Sequence, residues 1–279
     1  MTNKLRELTP EECIEIRKTL LHEFHKYCEE HNLRYSLGYG TLLGAVRHGG
    51  MIPWDDDIDV IVPREDFERL NELNKRNDCR DRYQFVSHKN HPEIKTKIGY
   101  YIDFNTITET AYKSNEYHGV HIDIYPVDVV PNGKSQQKQI FLRRWFLHKL
   151  IRAKDIHPEV MHGFQKAIRK TVLALCSPFN YDKALDQLQT VSKQYVNMPE
   201  GEKKTACIFV ETGAPLCFPY SITKDYKLYD YDGNQYWGYK DYDTILKAWY
   251  GDYMTPPPVS EQKRPDHKFV RFFSKEDNQ

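Results

Sequence analysis

The chain has 279 residues, enough to bury a sizeable core either as one large domain or as a domain with an appendage. Its 40 Lys and Arg are balanced by 40 Asp and Glu, so the overall charge makes no case for nucleic acid or an anionic membrane as partner. No apolar run approaches the ~20 residues of a membrane span. The segment MTNKLRELTPEEC lacks an apolar signal core, and the six cysteines are scattered without a C-x-x-C pair, so a cytoplasmic protein with reduced thiols is expected.

Thr9-Pro10-Glu11-Glu12 predicts a helix start, with Thr as N-cap, Pro at the first position and Glu three residues on. Ile16, Leu20, Leu21, Phe24, Tyr27 and Cys28 continue it at helical spacing to about His31. A short strand, RYSLGYG, follows, then a second helix over about Thr41–His48. DIDVIVP reads as a strand closed by Pro63, and Phe67, Leu70 and Leu73 mark another helix. YQFVSH, IKTKIGYYIDFNTI and HIDIYPVDVV read as further strands. From Lys134 to about Tyr195 the pattern is mainly helical, interrupted near His157-Pro158 and Ser177-Pro178. YKLYDYDGNQYWGY predicts a hairpin turning at Asp232-Gly233, DTILKAWYG a last short helix, and DYMTPPPVSEQKRPDHKF an irregular tail. The expected fold is α/β with a mixed sheet. Residues 1–133 form a sheet-bearing core, and residues 134–279, a helical segment with hairpin and tail, complete the same unit.

The stretch YGTLLGAVRHGGMIPWDDDIDVIVPR concentrates four carboxylates, three of them Asp55, Asp57 and Asp59, at the start of an apolar strand. Alternation puts Asp57 and Asp59 on one face and Ile58, Val60 and Val62 on the other. Like charges side by side repel, and burial raises the cost. Such a pair persists with a cation between its members, with one carboxyl protonated, or with water and arginines screening it. A divalent metal is the most economical of these, and Mg²⁺ in particular takes carboxylate oxygens and completes its shell with phosphates. Asp123, between Ile122 and Ile124, repeats the apolar–acid–apolar pattern on a later strand. Gly38, Gly40 and Gly44 flank Thr41 where strand gives way to helix, and free N–H groups at a helix start suit a phosphate. The Thr41 hydroxyl adds a donor, and Arg47 and His48 at the far end of that helix could neutralise further phosphate charge.

That order of strand, Gly-Thr turn, helix and acid–x–acid strand resembles the nucleotidyltransferase superfamily typified by DNA polymerase β. More specifically, GTLLGAVRHGGMIPWDDDID resembles the hallmark of the LicD family, phosphocholine transferases to which fukutin and fukutin-related protein are related. IDIYPVD and YGDYMTPPP resemble later blocks of the same family, so the likeness covers about residues 30–130 and 249–267. The resemblance implies a nucleotidyltransferase-like core with a helical insertion. It also implies transfer of a substituted phosphate from a CDP-linked donor, CDP-choline by default and CDP-ribitol in relatives, to a sugar hydroxyl of a cell-surface glycan precursor, with CMP leaving. Lipopolysaccharide or teichoic acid biosynthesis is the implied setting, with peripheral membrane contact through a lipid-linked acceptor. Carried over by residue, Asp57, Asp59 and Asp123 are the expected catalytic acids and ligands of Mg²⁺ or Mn²⁺, with Asp123 either ligand or general base. Gly40 and Thr41 are expected on the diphosphate.

Asp55 and Asp56 are expected to brace the start of the strand, and Trp54 either to pack beneath them or to line the donor site, packing being the commoner outcome. His118-x-x-His121-x-Asp123 superficially suits zinc, but His118 falls on the opposite face of the strand, and His121 reads better as a proton or phosphate partner. Lys95 and Lys97 could reach donor phosphates, although solvated lysines are commoner, and Asp128 could orient a turn. Trp249, Tyr250 and Tyr253 either enclose a quaternary ammonium or pack on the core. Arg264 and His267 lie in a tail that could fold over the donor, with Asp252 bracing it. Two other readings share this acid cluster: a nucleotidyltransferase sending a nucleoside monophosphate to a small acceptor, and a non-catalytic ion-binding module.

Overall fold

A computed structural model of the chain describes residues 5–75, 82–110, 119–155, 171, 174, 180–209, 215–264 and 270–275. His118, His267 and the two proline breaks expected near His157 and Ser177 lie outside these residues. The chain opens with β1 (Leu5–Glu7) and α1 (Pro10–His31). The expected capping box is present: the Thr9 hydroxyl accepts from the Glu12 N–H at 3.2 Å, and Glu12 accepts from the Thr9 N–H at 2.8 Å. Asn32, in the left-handed region at φ 56°, ends the helix.

Next come β2 (Ser36–Leu37), α2 (Tyr39–His48), β3 (Asp59–Pro63) and α3 (Arg64–Leu73). The strand read into RYSLGYG is only two residues long, because the chain turns into α2 at Gly38. Gly40 and Thr41 therefore lie in the first turn of the helix rather than ahead of it.

β4 (Tyr83–Val86), β5 (Gly99–Asp103) and β6 (Thr106–Thr110) follow. The single strand expected over residues 94–107 is broken at Asp103, whose carboxylate accepts from the Asn105 N–H while its carbonyl accepts from the Thr106 hydroxyl. This local turn sends β5 and β6 into different sheets. β7 (His121–Val130) leads to α4 (Lys134–Asp155), α5 (Tyr181–Ser192), β8 (Thr205–Ile208) and β9 (Leu216–Pro219). The predicted hairpin is β10 (Tyr226–Tyr231) and β11 (Asn234–Tyr239), with Asp232 at φ 50° and Gly233 at φ 80° in the turn. α6 (Tyr242–Tyr250) precedes the stretch read as an irregular tail, and β12 (Val270–Lys275), which was not read from the sequence, follows it.

The main sheet runs β2-β3-β7-β5-β4, with β8 on the second half of β7 and β9 on β8. β3 and β7 are its parallel pair, and the other pairings are antiparallel. Alternation along β3 and β7 divides the core. Val60, Val62, Ile122 and Ile124 pack with Leu20, Leu21 and Phe24 of α1, while Ile61 and Val127 pack with Ala206, Phe218 and Ile245. A second sheet, β1-β12-β6, draws the two ends of the chain together. Asp128, expected to orient a turn, instead lies in the core, where its two oxygens accept from Nε and Nη2 of buried Arg64 at 2.7 and 2.8 Å.

Candidate active site

The parallel register of β3 and β7 sets Asp59 directly beside Asp123. The preceding residues turn back toward them, and carboxylate oxygens of Asp55, Asp56 and Asp57 all lie within 4.8 Å of one another. Among the described residues this is the set of three acids that converges so closely. The convergent trio thus shares Asp57 with the set expected from the sequence and places Asp55 and Asp56 beside it, with Asp59 and Asp123 on the strands behind.

The electrostatics record the crowding. Asp59 is only 7% exposed, and burial followed by the charges of Asp57, Asp123 and Asp55 pushes its carboxyl well above the usual range. Burial, with the charge and hydrogen bond of Asp57, pushes Asp55 up to about 7, against the Asp56 N–H that it accepts at 3.2 Å. Among the described residues no lysine or arginine pairs with Asp55, Asp57 or Asp59.

α2 is fitted to this cluster. A Cβ on Gly40 would come within 2.4 Å of Asp55 Oδ2, so the missing side chain is what lets that carboxylate lie against the first turn. There the positive end of the helix dipole favours an anion. Thr41 is buried, and its Oγ1 accepts from the Asp59 N–H at 2.8 Å, tying the helix start to β3. Tyr39 takes the strained left-handed conformation at φ 40°. Its ring stacks on Trp249 at 4.6 Å and meets Tyr125 edge-on at 5.0 Å, and its hydroxyl is sealed from water without a hydrogen-bond partner. Burial and the Asp59 charge push that phenol up.

The C-terminal half of the chain closes round the same place. Arg47 donates to the Tyr253 carbonyl at 2.7 Å and lies over Trp54. Tyr250 is exposed, yet its phenol is pushed up by burial and by Asp59, Asp55 and Asp57. His48 accepts from Arg47 Nε and meets the Trp54 ring edge-on, away from the acids it was expected to share a phosphate with. The hairpin tip helps to hold the loop before the acidic stretch: Asp232 donates its N–H to the Gly49 carbonyl and accepts from Lys18.

On β7, His121 Nδ1 donates to the Gly119 carbonyl at 2.8 Å, which leaves Nε2 facing Asp123 Oδ1 at 3.6 Å. Burial and then the charge of Arg17, against the Gly119 hydrogen bond, push His121 down to about 4. Arg17 was not anticipated. It is 8% exposed, lies 5.3 Å over the Phe272 ring and, among the described residues, has no hydrogen bond or ion pair. The signal was present, because Cys13, Arg17, Leu20, Phe24 and Cys28 form one helical stripe in which Arg17 alone is charged. Two expected phosphate or lid residues are engaged elsewhere: Lys95 pairs with Asp182 of α5, and Arg264 with Glu11 of α1.

Glycine and threonine at a helix start, tied to a buried strand whose acid lies beside another acid on the parallel neighbour, define an acidic site at one end of the sheet. Residues 32–167, just under half of the chain, match the family described as LicD/FKTN/FKRP, nucleotidyltransferase domain. Among curated relatives it is similar to the lipopolysaccharide cholinephosphotransferase LicD of Haemophilus influenzae, 27% identical over 94% of this chain and 97% of that protein. It is also similar to the human ribitol 5-phosphate transferase FKRP, 47% identical over 16% of this chain and 9% of that protein. An uncharacterized protein of Rickettsia prowazekii is 43% identical over 19% of this chain and 20% of its own length.

Proposed function

We propose that the chain transfers a substituted phosphate, phosphocholine by default, from a CDP-linked donor to a hydroxyl of a cell-surface glycan precursor. The observation that carries this reading is the convergence of Asp55, Asp57, Asp59 and Asp123 at one end of the β3–β7 pair, with no lysine or arginine paired to the first three among the described residues. The two named relatives support it, one a cholinephosphotransferase and the other a ribitol 5-phosphate transferase.

The oxygen-only donor set fits a hard divalent cation. Asp55, Asp56 and Asp57 would hold Mg²⁺ or Mn²⁺, with Asp59 and Asp123 facing it, and the bound ion would supply positive charge to the donor phosphates. The rest falls to the chain. Arg47, fixed by the Tyr253 carbonyl, and Arg17, buried with no carboxylate partner among the described residues, offset negative charge around the transferring group. Tyr39 offers its unsatisfied hydroxyl as a donor beside Asp59. Asp123 stands outside the tightest trio, next to the neutral Nε2 of His121, and that position suits a proton acceptor better than a ligand. The acceptor oxygen attacks the phosphorus bearing the choline side, its proton passes to an Asp123 oxygen, and the bond to CMP breaks.

The test is incubation with CDP-choline, CDP-ribitol or CDP-glycerol and Mg²⁺, followed by ³¹P NMR. Release of CMP with one donor, and its loss in Asp57→Asn, is the expected result. A CMP–acceptor product would convert the reading to nucleotidyl transfer, and undiminished turnover in Asp57→Asn would end it.

A further inference from the structure

The balanced net charge hides a local excess on α4. Its sequence, KSQQKQIFLRRWFLHKLIRAKD, carries seven Lys or Arg against one Asp. Ile140, Leu147 and Ile151 turn inward onto Ala184, Leu185, Leu188 and Val191 of α5, and Arg144 turns with them, donating to the Leu188 carbonyl and lying over Phe209. At 100° per residue the opposite side of the helix is centred on Leu142, Trp145 and Phe146. These side chains are 62%, 57% and 52% exposed, so three large apolar groups stand side by side in water. Lys134, Lys138, Lys149 and Arg152 share that face, all exposed, and the Lys149 ammonium lies over the Trp145 ring.

We propose that this face of α4 docks the protein on an anionic lipid bilayer, the helix lying in the plane of the interface. The chemistry is that of an interfacial helix: a Trp, a Phe and a Leu to enter the headgroup–acyl boundary, ringed by cations whose aliphatic stems follow them while their charges meet lipid phosphates. Charge complementarity singles out this occupant. A second copy related by a two-fold axis would set Lys138, Lys149 and Arg152 against the same cations. The inner face of α4 already has its partner in α5, and among the described residues packing gives the outer apolar trio no role. The proposal does not rest on the transfer chemistry, although a bilayer surface is where a lipid-linked acceptor would be met.

The test is co-sedimentation of the full chain with phosphatidylcholine vesicles and with vesicles in which about a third of the lipid is phosphatidylglycerol. Binding to the anionic vesicles alone, weakened by about 0.5 M salt, is expected. L142S/W145S/F146S and K134E/K138E/K149E should each lower the partition coefficient about tenfold or more, with circular dichroism and melting unchanged because all six positions are on the surface. Equal binding to neutral vesicles, no binding to anionic ones, or wild-type partition by both variants would overturn the proposal. So would a concentration-dependent dimer that L142S/W145S/F146S dissolves while vesicle binding is absent.

Discussion

Asp59 and Asp128 are buried carboxylates on adjacent parallel strands, 7% and 1% exposed, in opposite electrostatic situations. Asp128 meets the fork of Arg64 with both oxygens, a pair completed within the protein. Asp59 meets Asp57, Asp123 and Asp55, and its hydrogen-bonded neighbour Thr41 binds its backbone rather than its charge. One end of the β3–β7 pair is neutralised by the fold, and the other keeps a concentration of negative charge that the fold does not cancel. Unbalanced charge of that kind destabilises a protein, and this is the end of the sheet where the proposed cation would complete the electrostatics.

The comparison can be broken first at its neutral end. Asp128→Ala leaves the Arg64 guanidinium buried without its partner and should cost about 3–5 kcal/mol in a denaturant titration, while Arg64→Met with Asp128→Leu should recover most of that loss. At the acidic end the effect should move from stability to rate. Asp123→Asn should lower turnover about 10²- to 10³-fold, or roughly 3–4 kcal/mol in the barrier, with melting unchanged or raised.

The third effect is smaller and has a sign that ordinary carboxylates lack. Asp55 titrates near 7 in the folded protein against 3.8 as a free side chain, so between those values the folded state holds more protons than the unfolded one. Stability from this group is therefore present at low pH and lost as pH rises through 7. Asp55→Asn should stabilise the metal-free protein on the order of 2 kcal/mol at pH 8 and by nothing measurable at pH 4, read from thermal melts.

Local chemistry was legible in the sequence. The capping box at Thr9, the Asp232-Gly233 hairpin, the strand after the acidic stretch and the acid at Asp123 all rest on signals a few residues long, and all appear where they were read. What was missed depends on partners far away in the chain. β12 forms only because β1 and β6 flank it, and its pairing of Phe273 with both Glu7 and Ile107 cannot be seen from VRFFSK alone. The site shows the same division. The acids could be named, but the inward place of Asp55 depends on Gly40 lacking a Cβ, and Arg17 comes to act on His121 only when α1 and Phe272 enclose it. Lys95, a reasonable phosphate residue by alternation, was taken by Asp182, far from it in sequence.

The central claim is that the acidic end of the β3–β7 pair is completed by a divalent cation. Thermal melts of the wild-type chain at pH 8, with increasing Mg²⁺ or Mn²⁺, test it most directly. The account predicts a saturable rise in melting temperature that Asp57→Asn and Asp55→Asn remove and that a surface change such as Lys149→Glu leaves intact. A melting temperature indifferent to either ion, or a rise of equal size in Asp57→Asn, would contradict it.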